Sequence, residues 1–415
     1  MISEKSIEIK IKMLTPLWTG GVGGKCDRLH ETGIIGSMRW WYEAIVRGLG
    51  GYACDPTSGN HCELSGKEKT DEERSKKLCP ACWLFGCGGW KRRFRLEVIK
   101  EPELTPLHFR SGLSPNRKWL AEIFGDNNKS IQNIGVPFGD FTLRIVPLGH
   151  DKGDNDLALK KLALILKLIE QYGGLGAKLQ HGFGIIQVTK WPGGIDASKI
   201  LDIIPTLKQE IDQWPKGSQK NTIDPQWNFQ NFTSLSYDLP KEKLNEFLKN
   251  GAHVGAKQKE NELRYIPCTF DIRYKGKEGK FGMREWLRKK KGWKETTNPR
   301  AWEELDRLLG PRSNWKDRAK NKISIDNDWR RAGSLYFSMP YGTASDAQKY
   351  RIRIYGFVPP DLNKVGRQNF DSSALSDLAI EYMKHAFGDE VEPSTTHFGS
   401  KILAIKTDDN IGSHV

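Results

Sequence analysis

Long apolar runs are missing from this 415-residue sequence. No stretch approaches the roughly 20 consecutive apolar residues that a membrane-spanning helix needs. Residues 1–12 alternate polar and apolar side chains, with neither an apolar core nor a small-residue cleavage site, so they do not indicate a secretory signal peptide. We therefore expect a cytoplasmic protein that has no membrane partner, in a compartment where disulfides are rare.

Catalytic motifs are also missing. The sequence has no Walker phosphate-binding motif, no G-x-S-x-G nucleophile turn and no recognisable Ser-His-Asp set. A nuclease needs an acid–base pair or metal-binding carboxylates at the scissile phosphate, and no compact pair of that kind stands out among the nine histidines. We therefore do not expect a metabolic enzyme that acts on a small-molecule substrate.

Acidic residues are fewer than basic ones. Lys and Arg total 65 against 51 Asp and Glu, which is a formal net charge of +14. This surplus favours polyanionic partners, because each Lys or Arg that meets a phosphate releases condensed counterions. Basic proteins are common, however, so the charge by itself indicates nucleic-acid binding without establishing it.

The order of the predicted elements indicates an α+β protein. Alternation with period two predicts strands, and apolar residues at helical spacing predict helices. In the N-terminal part they follow the order β, α, β, β, α, β, at 6–13, 37–48, 95–100, 141–146, 157–172 and 182–188. That order is typical of the ferredoxin-like unit.

A second, more diverged copy of this unit is predicted in the C-terminal part. Its elements are a β-α start at 265–274 and 283–291, strands at 333–339 and 351–358, and a helix at 374–387. We therefore predict two ferredoxin-like (RRM-type) domains in tandem, with loop and helical insertions. The predicted division is a first domain at 1–201 with a cysteine-containing insertion at about 52–90, a linker or insertion at 202–262 with a short helix near Leu244, and a second domain at 263–415.

A glycine-rich segment between the second predicted helix and the last strand of the first domain is the most informative motif. It has the form G-x-G, five residues, G-x-G, with glycines at Gly174, Gly176, Gly182 and Gly184 and with Lys178 and His181 between them. Glycine lets a backbone approach a ligand closely, and exposed N–H groups can then cradle phosphates. A dinucleotide fingerprint follows a strand and opens a helix, which is the reverse order. The alternative interpretation is a tight turn with incidental glycines.

This glycine segment resembles the glycine loop of the RAMP superfamily, the ferredoxin-like RNA-binding proteins of CRISPR systems. The segments 35–39 and 79–86 (C-P-A-C-W-L-F-G) resemble further segments of the same superfamily. The segments 15–21 (T-P-L-W-T-G-G) and 33–43 resemble one group of it, the two-domain "Cmr-one" subunits of type III-B, or Cmr, effector complexes. The resemblance covers residues 10–190 strongly and the rest weakly.

The resemblance implies a non-catalytic RNA-binding subunit of a ribonucleoprotein. Its partners would be a guide (CRISPR) RNA, a target RNA and sibling Cmr RAMP subunits. The alternative is a RAMP-type endoribonuclease that processes guide RNA, for which His30 and His181 are the first candidates. A third possibility is a protein scaffold, which predicts no salt-sensitive RNA binding.

The segment around Gly36 predicts a second phosphate contact. Ser37 is a natural N-cap, Gly48 a natural stop, and a helix N-terminus attracts phosphate. Arg39 would lie in the first turn, where a cation is unfavourable unless an anion is bound. The preceding loop adds Lys25, Arg28 and His30. In the predicted topology this region and the glycine loop meet at one end of the sheet, so we expect Lys25, Arg28, Arg39, Lys178 and His181 to line one RNA groove.

Two stretches interleave basic and aromatic residues, the usual composition of single-strand binding surfaces. The first, 90–95, contains Lys91, Arg92 and Arg93. The second, 284–331, contains Arg284 and Arg288 among several tryptophans. The alternative for the second stretch is that its tryptophans belong to the core.

The cysteines are clustered in the insertion. Cys79 and Cys82 have the C-x-x-C spacing of half a zinc site, and Cys54 with Cys62 can supply the other half. The spacing of the second pair is longer than usual, and Cys79 and Cys82 can also be core residues without metal. The prediction is one structural zinc held by Cys54, Cys62, Cys79 and Cys82.

Overall fold

The structure is a computed structural model. It describes residues 6–21, 26–56, 61–106, 109–111, 135–149, 151–215, 227–248, 252–254, 266–267, 269–274, 281–294, 303–310, 333–343, 346–359, 362 and 367–404. Within these residues no helix is both long and apolar enough to cross a membrane.

The first part of the chain contains seven strands and four helices among its described residues. In chain order they are β1 (Ile7–Met13), α1 (Glu31–Gly48), α2 (Asp71–Ser75), α3 (Pro80–Phe85), β2 (Phe94–Lys100), β3 (Leu104–Pro106), β4 (Phe109–Ser111), β5 (Gly135–Pro137), β6 (Asp140–Pro147), α4 (Lys152–Tyr172) and β7 (Ile186–Lys190). A 3₁₀ turn at Leu179–His181 precedes β7.

The remaining elements form the second part of the chain. In chain order its elements are α5 (Ile204–Asp212), β8 (Phe232–Pro240), α6 (Lys241–Leu248), β9 (Ala252–Val254), β10 (Ile266–Pro267), α7 (Phe270–Tyr274), α8 (Met283–Lys290), α9 (Glu304–Leu309), β11 (Leu335–Phe337), β12 (Tyr341–Gly342), β13 (Lys349–Phe357), α10 (Ser372–Phe387), β14 (Thr395–Phe398) and α11 (Gly399–Ile402).

The first sheet has the strand order β2-β6-β1-β7, and all of its pairs are antiparallel. β1 alternates strictly between buried and exposed residues, because one face lies on α1 and α4 and the other is polar. The predicted order β, α, β, β, α, β over the first domain is therefore confirmed element by element.

The second sheet has the order β11-β13-β8-β14, with β12 paired to β13. The predicted strands at 333–339 and 351–358, the helix at 374–387 and the short helix near Leu244 are all present. Of the predicted β-α start at 265–274 and 283–291, the helix is present as α8, while the strand is only the two-residue β10, followed by α7. The strand in the centre of the second sheet is β8, which lies inside the segment that the sequence predicts as a linker.

Both faces of β8 are buried. Thr233, Ser234 and Ser236 are at most 8 % exposed although they are polar. Their short hydroxyl side chains bond locally, as when Thr233 Oγ1 donates to the His397 carbonyl. Leu235, Tyr237 and Leu239 recur at every second position and lie in the core, so this short alternation inside a polar segment was a readable strand signal. The predicted linker at 202–262 is therefore wrong for residues 232–240.

The second sheet lies between two helical layers. One face packs on α8 and α10 in a separate core. The other packs on α1 through aromatic rings: Trp41 meets Phe232 with ring centroids 5.6 Å apart, and Trp40 meets Phe357 at 5.3 Å. The layers are thus first sheet, helices, second sheet, helices, and in the part of the chain that the structure describes the outer face of the first sheet remains uncovered.

Candidate functional site

The glycine loop between α4 and β7 adopts the left-handed backbone that the sequence predicts. Gly176, Gly182 and Gly184 have φ of 85°, 90° and 87°, and Lys178 is left-handed at 58°. Three of the four glycines therefore occupy conformations that L side chains rarely adopt.

The backbone donors of this loop are used inside the protein. Gly176 N donates to Ser37 Oγ at 2.9 Å, Ala177 N to the Trp18 carbonyl at 2.8 Å, and Gly184 N to the Pro16 carbonyl at 2.9 Å. A Cβ on Gly176 would lie 2.7 Å from the Trp18 carbonyl oxygen. The close approach that these glycines permit is thus to the 15–19 segment, and these three N–H groups do not cradle a phosphate.

The far half of the loop packs against the second part of the chain. The Gly182 carbonyl accepts a hydrogen bond from Met339 N at 2.9 Å, and a Cβ on Gly182 would lie 2.5 Å from that nitrogen. A Cβ on Gly174 would lie 2.5 Å from the Tyr355 hydroxyl. The loop therefore joins the two parts of the molecule.

His181 is buried under this loop and is 7 % exposed. Its ring lies 5.4 Å from that of Phe270, and its Nδ1 atom has no hydrogen-bond partner among the residues that the structure describes. Burial lowers the pKa of His181 well below its usual value, and the positive charges of Arg273 and Lys178 lower it further. The predicted position of His181 in a groove beside Lys178 as an RNA contact is therefore wrong, because its imidazole is inside the protein.

Lys178 lies at the edge of the same loop. Its ammonium group sits over the Trp18 ring, 4.5 Å from the centroid, and burial lowers its pKa. This cation–π contact holds the tip of the loop against the segment after β1.

The first helix begins earlier than predicted. α1 starts at Glu31 with His30 as its N-cap residue, so Gly36 and Ser37 lie in its second turn. The predicted helix start at Gly36 is therefore wrong. The Ser37 hydroxyl does not cap the helix but accepts the hydrogen bond from Gly176 N in the glycine loop. Gly36 itself is exposed, and a Cβ there would meet nothing within 4 Å. Gly48 ends the helix as predicted.

Arg39 does not face a phosphate groove. Its Nε donates to Glu43 Oε1 at 2.8 Å, one guanidinium nitrogen donates to the Gly86 carbonyl at 2.7 Å, and the other lies 3.1 Å from Cys82 Sγ. The predicted RNA contact at Arg39 is wrong for this reason: the side chain is directed at the cysteine insertion, where three acceptors hold it.

The loop before α1 carries charged side chains that are at least partly exposed. Arg28 is about half exposed (49 %) and pairs with Glu31 at 3.1 Å, while His30 Nε2 lies 2.7 Å from Asp27 Oδ1. The predicted contact at Lys25 lies outside the described residues.

The 90–95 stretch divides between surface and interior. Lys91 and Arg92 are exposed. Arg93 is buried, with its guanidinium 4.5 Å from the Trp83 ring centroid and 4.7 Å from that of Trp90. These two rings stack on each other, so the aromatic faces are occupied by the protein's own side chains and the predicted RNA contact at Arg93 is wrong.

The second basic stretch is largely core. Trp286 and Trp293 are buried, and Arg284 is 2 % exposed and donates to the Gly310 carbonyl. Arg284 is therefore wrong as a predicted RNA contact, and the core alternative holds for these tryptophans. Arg288 is exposed and pairs with Glu285 at 2.7 Å. The remaining tryptophans of this stretch, Trp302, Trp315 and Trp329, lie outside the described residues.

The four predicted metal ligands converge. Cys79 is the N-cap of α3 and Cys82 lies in its first turn, while Cys54 and Cys62 come from the preceding loop. The Sγ atoms of all four lie within 4.8 Å of one another, all are buried, and Cys54 and Cys82 Sγ are 3.3 Å apart. In a tetrahedral zinc tetrathiolate with Zn–S bonds of about 2.3 Å the sulfurs lie about 3.8 Å apart, so the donor set fits such an ion.

Positive charge surrounds this cysteine cluster. Contacts with the other three thiols lower the pKa of Cys54. Arg39 lies against Cys82, and Arg47 donates to the Cys54 carbonyl at 3.3 Å. Glu43 stands between the two arginines, 2.8 Å and 3.8 Å from them, and its burial raises its pKa to about 7. Sequence reasoning missed Glu43 and Arg47, although the i, i+4 spacing of Arg39, Glu43 and Arg47 on one helix face was a readable signal.

Comparison with known proteins gives one family match. The model described as "RAMPs: RAMP superfamily" matches residues 10–187. No curated protein matches the sequence.

Solved structures similar to the chain include Cmr1 from Pyrococcus furiosus in its apo form, at 15 % identity over 85 % of this chain and 88 % of that chain, with a TM-score of 0.40. A chain of the Type III-B Cmr-beta complex bound to cognate target RNA and AMPPnP, in the presence of ssDNA, is 14 % identical over 92 % of this chain and 100 % of that one, with a TM-score of 0.39. A chain of the Type III-B Cmr-beta complex bound to cognate target RNA is 14 % identical over 91 % of this chain and 99 % of that one, with a TM-score of 0.38. The family match spans the first sheet, its two covering helices and the glycine loop, so the chain is similar to the RAMP superfamily over this part.

Proposed function

We propose that the chain is a non-catalytic RNA-binding subunit of a type III-B (Cmr) effector ribonucleoprotein in the cytoplasm, where it helps to hold guide or target RNA. The observation that carries this proposal is the RAMP superfamily match over residues 10–187. The net charge of +14 adds to it, because a polyanion is the partner that such a surplus favours. Its protein partners are sibling RAMP subunits.

The fold is part of the same proposal. Both main sheets place the fourth strand beside the first and the third strand beside the second, as β7-β1-β6-β2 and β14-β8-β13-β11. This order supports two ferredoxin-like domains in tandem, with the first over 1–201. The second then begins before β8 at Phe232, and not at 263.

The burial and contacts of the predicted RNA-binding residues reduce the number of them that can touch RNA. The residues that remain accessible for RNA are Arg28, His30, Gly36, Lys91, Arg92 and Arg288. Ser37, Gly174, Gly176, Lys178, Gly182 and Gly184 act instead by shaping the loop that holds the two parts together. The burial of His181 supports a non-catalytic subunit over the endoribonuclease alternative, because a neutral imidazole inside the protein does not reach a scissile phosphate.

RNA binding by the purified full-length chain tests this function. We expect it to bind single-stranded RNA with weak sequence preference, and its affinity to fall by orders of magnitude when the salt concentration rises about fourfold. An affinity that does not change with salt would contradict the proposal. Incubation of guide-precursor RNA with wild type and with His30→Ala separates the alternatives, since cleavage that is lost in the variant while binding persists would establish an endoribonuclease.

We also propose one structural zinc ion bound by Cys54, Cys62, Cys79 and Cys82. Four buried sulfurs at these distances leave no open coordination position, which is the pattern of structural sites. Metal analysis of the purified protein should find one equivalent of zinc, and Cys79→Ser should lose it together with stability. A zinc-free protein whose Cys79→Ser variant is as stable as wild type would contradict the proposal.

A further inference from the structure

The outer face of the first sheet carries charged side chains on every strand, although Thr142 and Val146 of β6, which also lie on it, are only 6 % and 5 % exposed. On β1 the side chains of Glu8, Lys10 and Lys12 are exposed between buried isoleucines. None of the described residues packs a helix or strand on this face, whereas the inner face is covered by α1 and α4. A charged face of this size faces solvent or a partner.

One row of side chains crosses all four strands of this face. The pairing register places Lys100 of β2 opposite Thr142 of β6, Thr142 opposite Lys10 of β1, and Lys10 opposite Lys190 of β7. Irregularities beside Lys100 and Lys10 bring the two outer lysines onto this face. Three ammonium groups therefore share a row of about 14 Å, given strand spacings of about 4.8 Å.

The neighbouring rows do not supply counterions to these lysines. In one, Arg144 pairs with Glu8 at 3.0 Å and with Glu97 at 3.7 Å, while Arg95 also pairs with Glu97 at 3.0 Å. Glu8 and Glu97 are thus already matched by arginines, while the row on the other side places the exposed Asp140 opposite Lys12.

The lysine row itself is left positive. Within the described part of the chain, no ion pair joins Lys10, Lys100 or Lys190 to a carboxylate. Like charges directly opposite each other, as at Lys10 and Lys190, destabilise a sheet. A polyanion on this face would remove that repulsion.

We propose that the Lys100, Lys10 and Lys190 row, with Lys12 beside it, binds the sugar-phosphate backbone of a single RNA strand that crosses the sheet. This inference rests on the proposed RNA-binding function and names a surface for it. The described residues of this face include no aromatic side chain, so the contact reads phosphates and not bases. The rows on either side, at about 7 Å along the strands, carry mixed charge and confine the RNA to this line.

The experiment compares two triple variants of the full-length chain that lose the same charge. Lys10→Gln, Lys100→Gln and Lys190→Gln are combined in the first. The control combines Lys67→Gln, Lys160→Gln and Lys199→Gln, three exposed lysines away from this face. Affinity for oligouridine RNA is measured over a series of salt concentrations, and thermal unfolding verifies that both variants are folded.

We expect the row variant to bind more weakly and to flatten the plot of log affinity against log salt by about two units, because each phosphate contact to a single strand contributes about 0.7 unit. The control should keep the slope of wild type. Equal slopes for the two variants would overturn the inference, as would a row variant that binds RNA normally but no longer joins its partner subunits, since the face would then bind an acidic protein surface. If wild type itself shows no salt-sensitive RNA binding, the proposed function fails before this comparison is reached.

Discussion

At the scale of single residues, two glycines that the sequence assigns to RNA-contacting segments have opposite roles. Gly36 is exposed in the second turn of α1 with open space around its Cα, while Gly184 is left-handed at φ of 87°. A Cβ on Gly184 would lie 2.1 Å from the Leu175 carbonyl oxygen. Only the second position requires glycine for folding.

This contrast predicts opposite effects for one substitution. Gly36→Ala should raise the free energy of unfolding by about 0.5–1 kcal/mol, because alanine is the better helix former. Gly184→Ala should lower it by more than about 1 kcal/mol through strain and overlap. Urea unfolding of the two variants measures both, and a Gly184→Ala variant as stable as Gly36→Ala would contradict the observed loop geometry.

His181 predicts a dependence of stability on pH. Its pKa is lowered well below the ordinary value of 6.5, chiefly by burial, so the folded protein keeps the imidazole neutral. Above about pH 6.5 the two states bind the same number of protons at this residue. Below it the unfolded chain takes up a proton that the folded chain does not, and stability falls until the pH reaches the folded pKa.

The expected size is up to about 2 kcal/mol between about pH 7.5 and about pH 5, at about 1.4 kcal/mol per pH unit below 6.5. His181→Gln should remove this component, so the difference in unfolding free energy between the two pH values should be smaller in the variant. The same pH difference in both proteins would show that the imidazole titrates in the folded state.

At the scale of elements, α1 links the cysteine insertion to the core. Arg39 contacts Cys82 Sγ and Gly86 on one side and Glu43 on the other. The negative charge of the proposed zinc tetrathiolate would be offset by Arg39 and Arg47 at the helix surface. The helix face that the sequence assigns to RNA is therefore assigned by the structure to the insertion.

Arg39→Gln tests that assignment. It removes the nearer of the two arginine partners of Glu43, whose side chain is 5 % exposed, so we expect a loss of about 3 kcal/mol in unfolding free energy and faster release of zinc to a chelator. Arg28→Gln is the control, since that arginine is about half exposed and its ion pair with Glu31 lies at the surface. RNA affinity that falls in Arg39→Gln while stability and zinc release stay unchanged would support the original phosphate contact.

At the scale of the whole molecule, the two sheets share one aromatic junction. Phe357 of β13 is 1 % exposed and its ring lies near those of Trp40, Trp41, Phe229 and Phe232. The second sheet thus buries the face of α1 that points away from the first sheet. Each part alone would expose these aromatic side chains.

Phe357→Ala should consequently destabilise both parts together. We expect a loss of about 3–5 kcal/mol and a single cooperative thermal transition at lower temperature. Leu148→Ala, at a residue that is 41 % exposed, should have little effect. Two separate transitions, with only the later part of the chain shifted, would show that the junction does not couple the two parts.

The sequence by itself determined the elements with a sustained apolar period. β1, β2 and β6 were predictable because apolar residues recur at every second position, and α1 and α4 because apolar residues recur at helical spacing. The cluster of four cysteines was also predictable, since a metal site of this kind depends on residue type and on a local C-x-x-C spacing.

Only the tertiary structure decided what each charged or glycine residue touches. Arg39, Arg93, His181 and Arg284 look like surface residues in the sequence, whereas each of them contacts other parts of the protein in the structure. The lysine row depends on the register of four strands that are up to 180 residues apart, from Lys10 to Lys190. The pattern of apolar residues in the sequence indicates which side of an element is buried. Long-range packing decides what that element and its charged residues contact, and these contacts determine which residues are left to bind RNA.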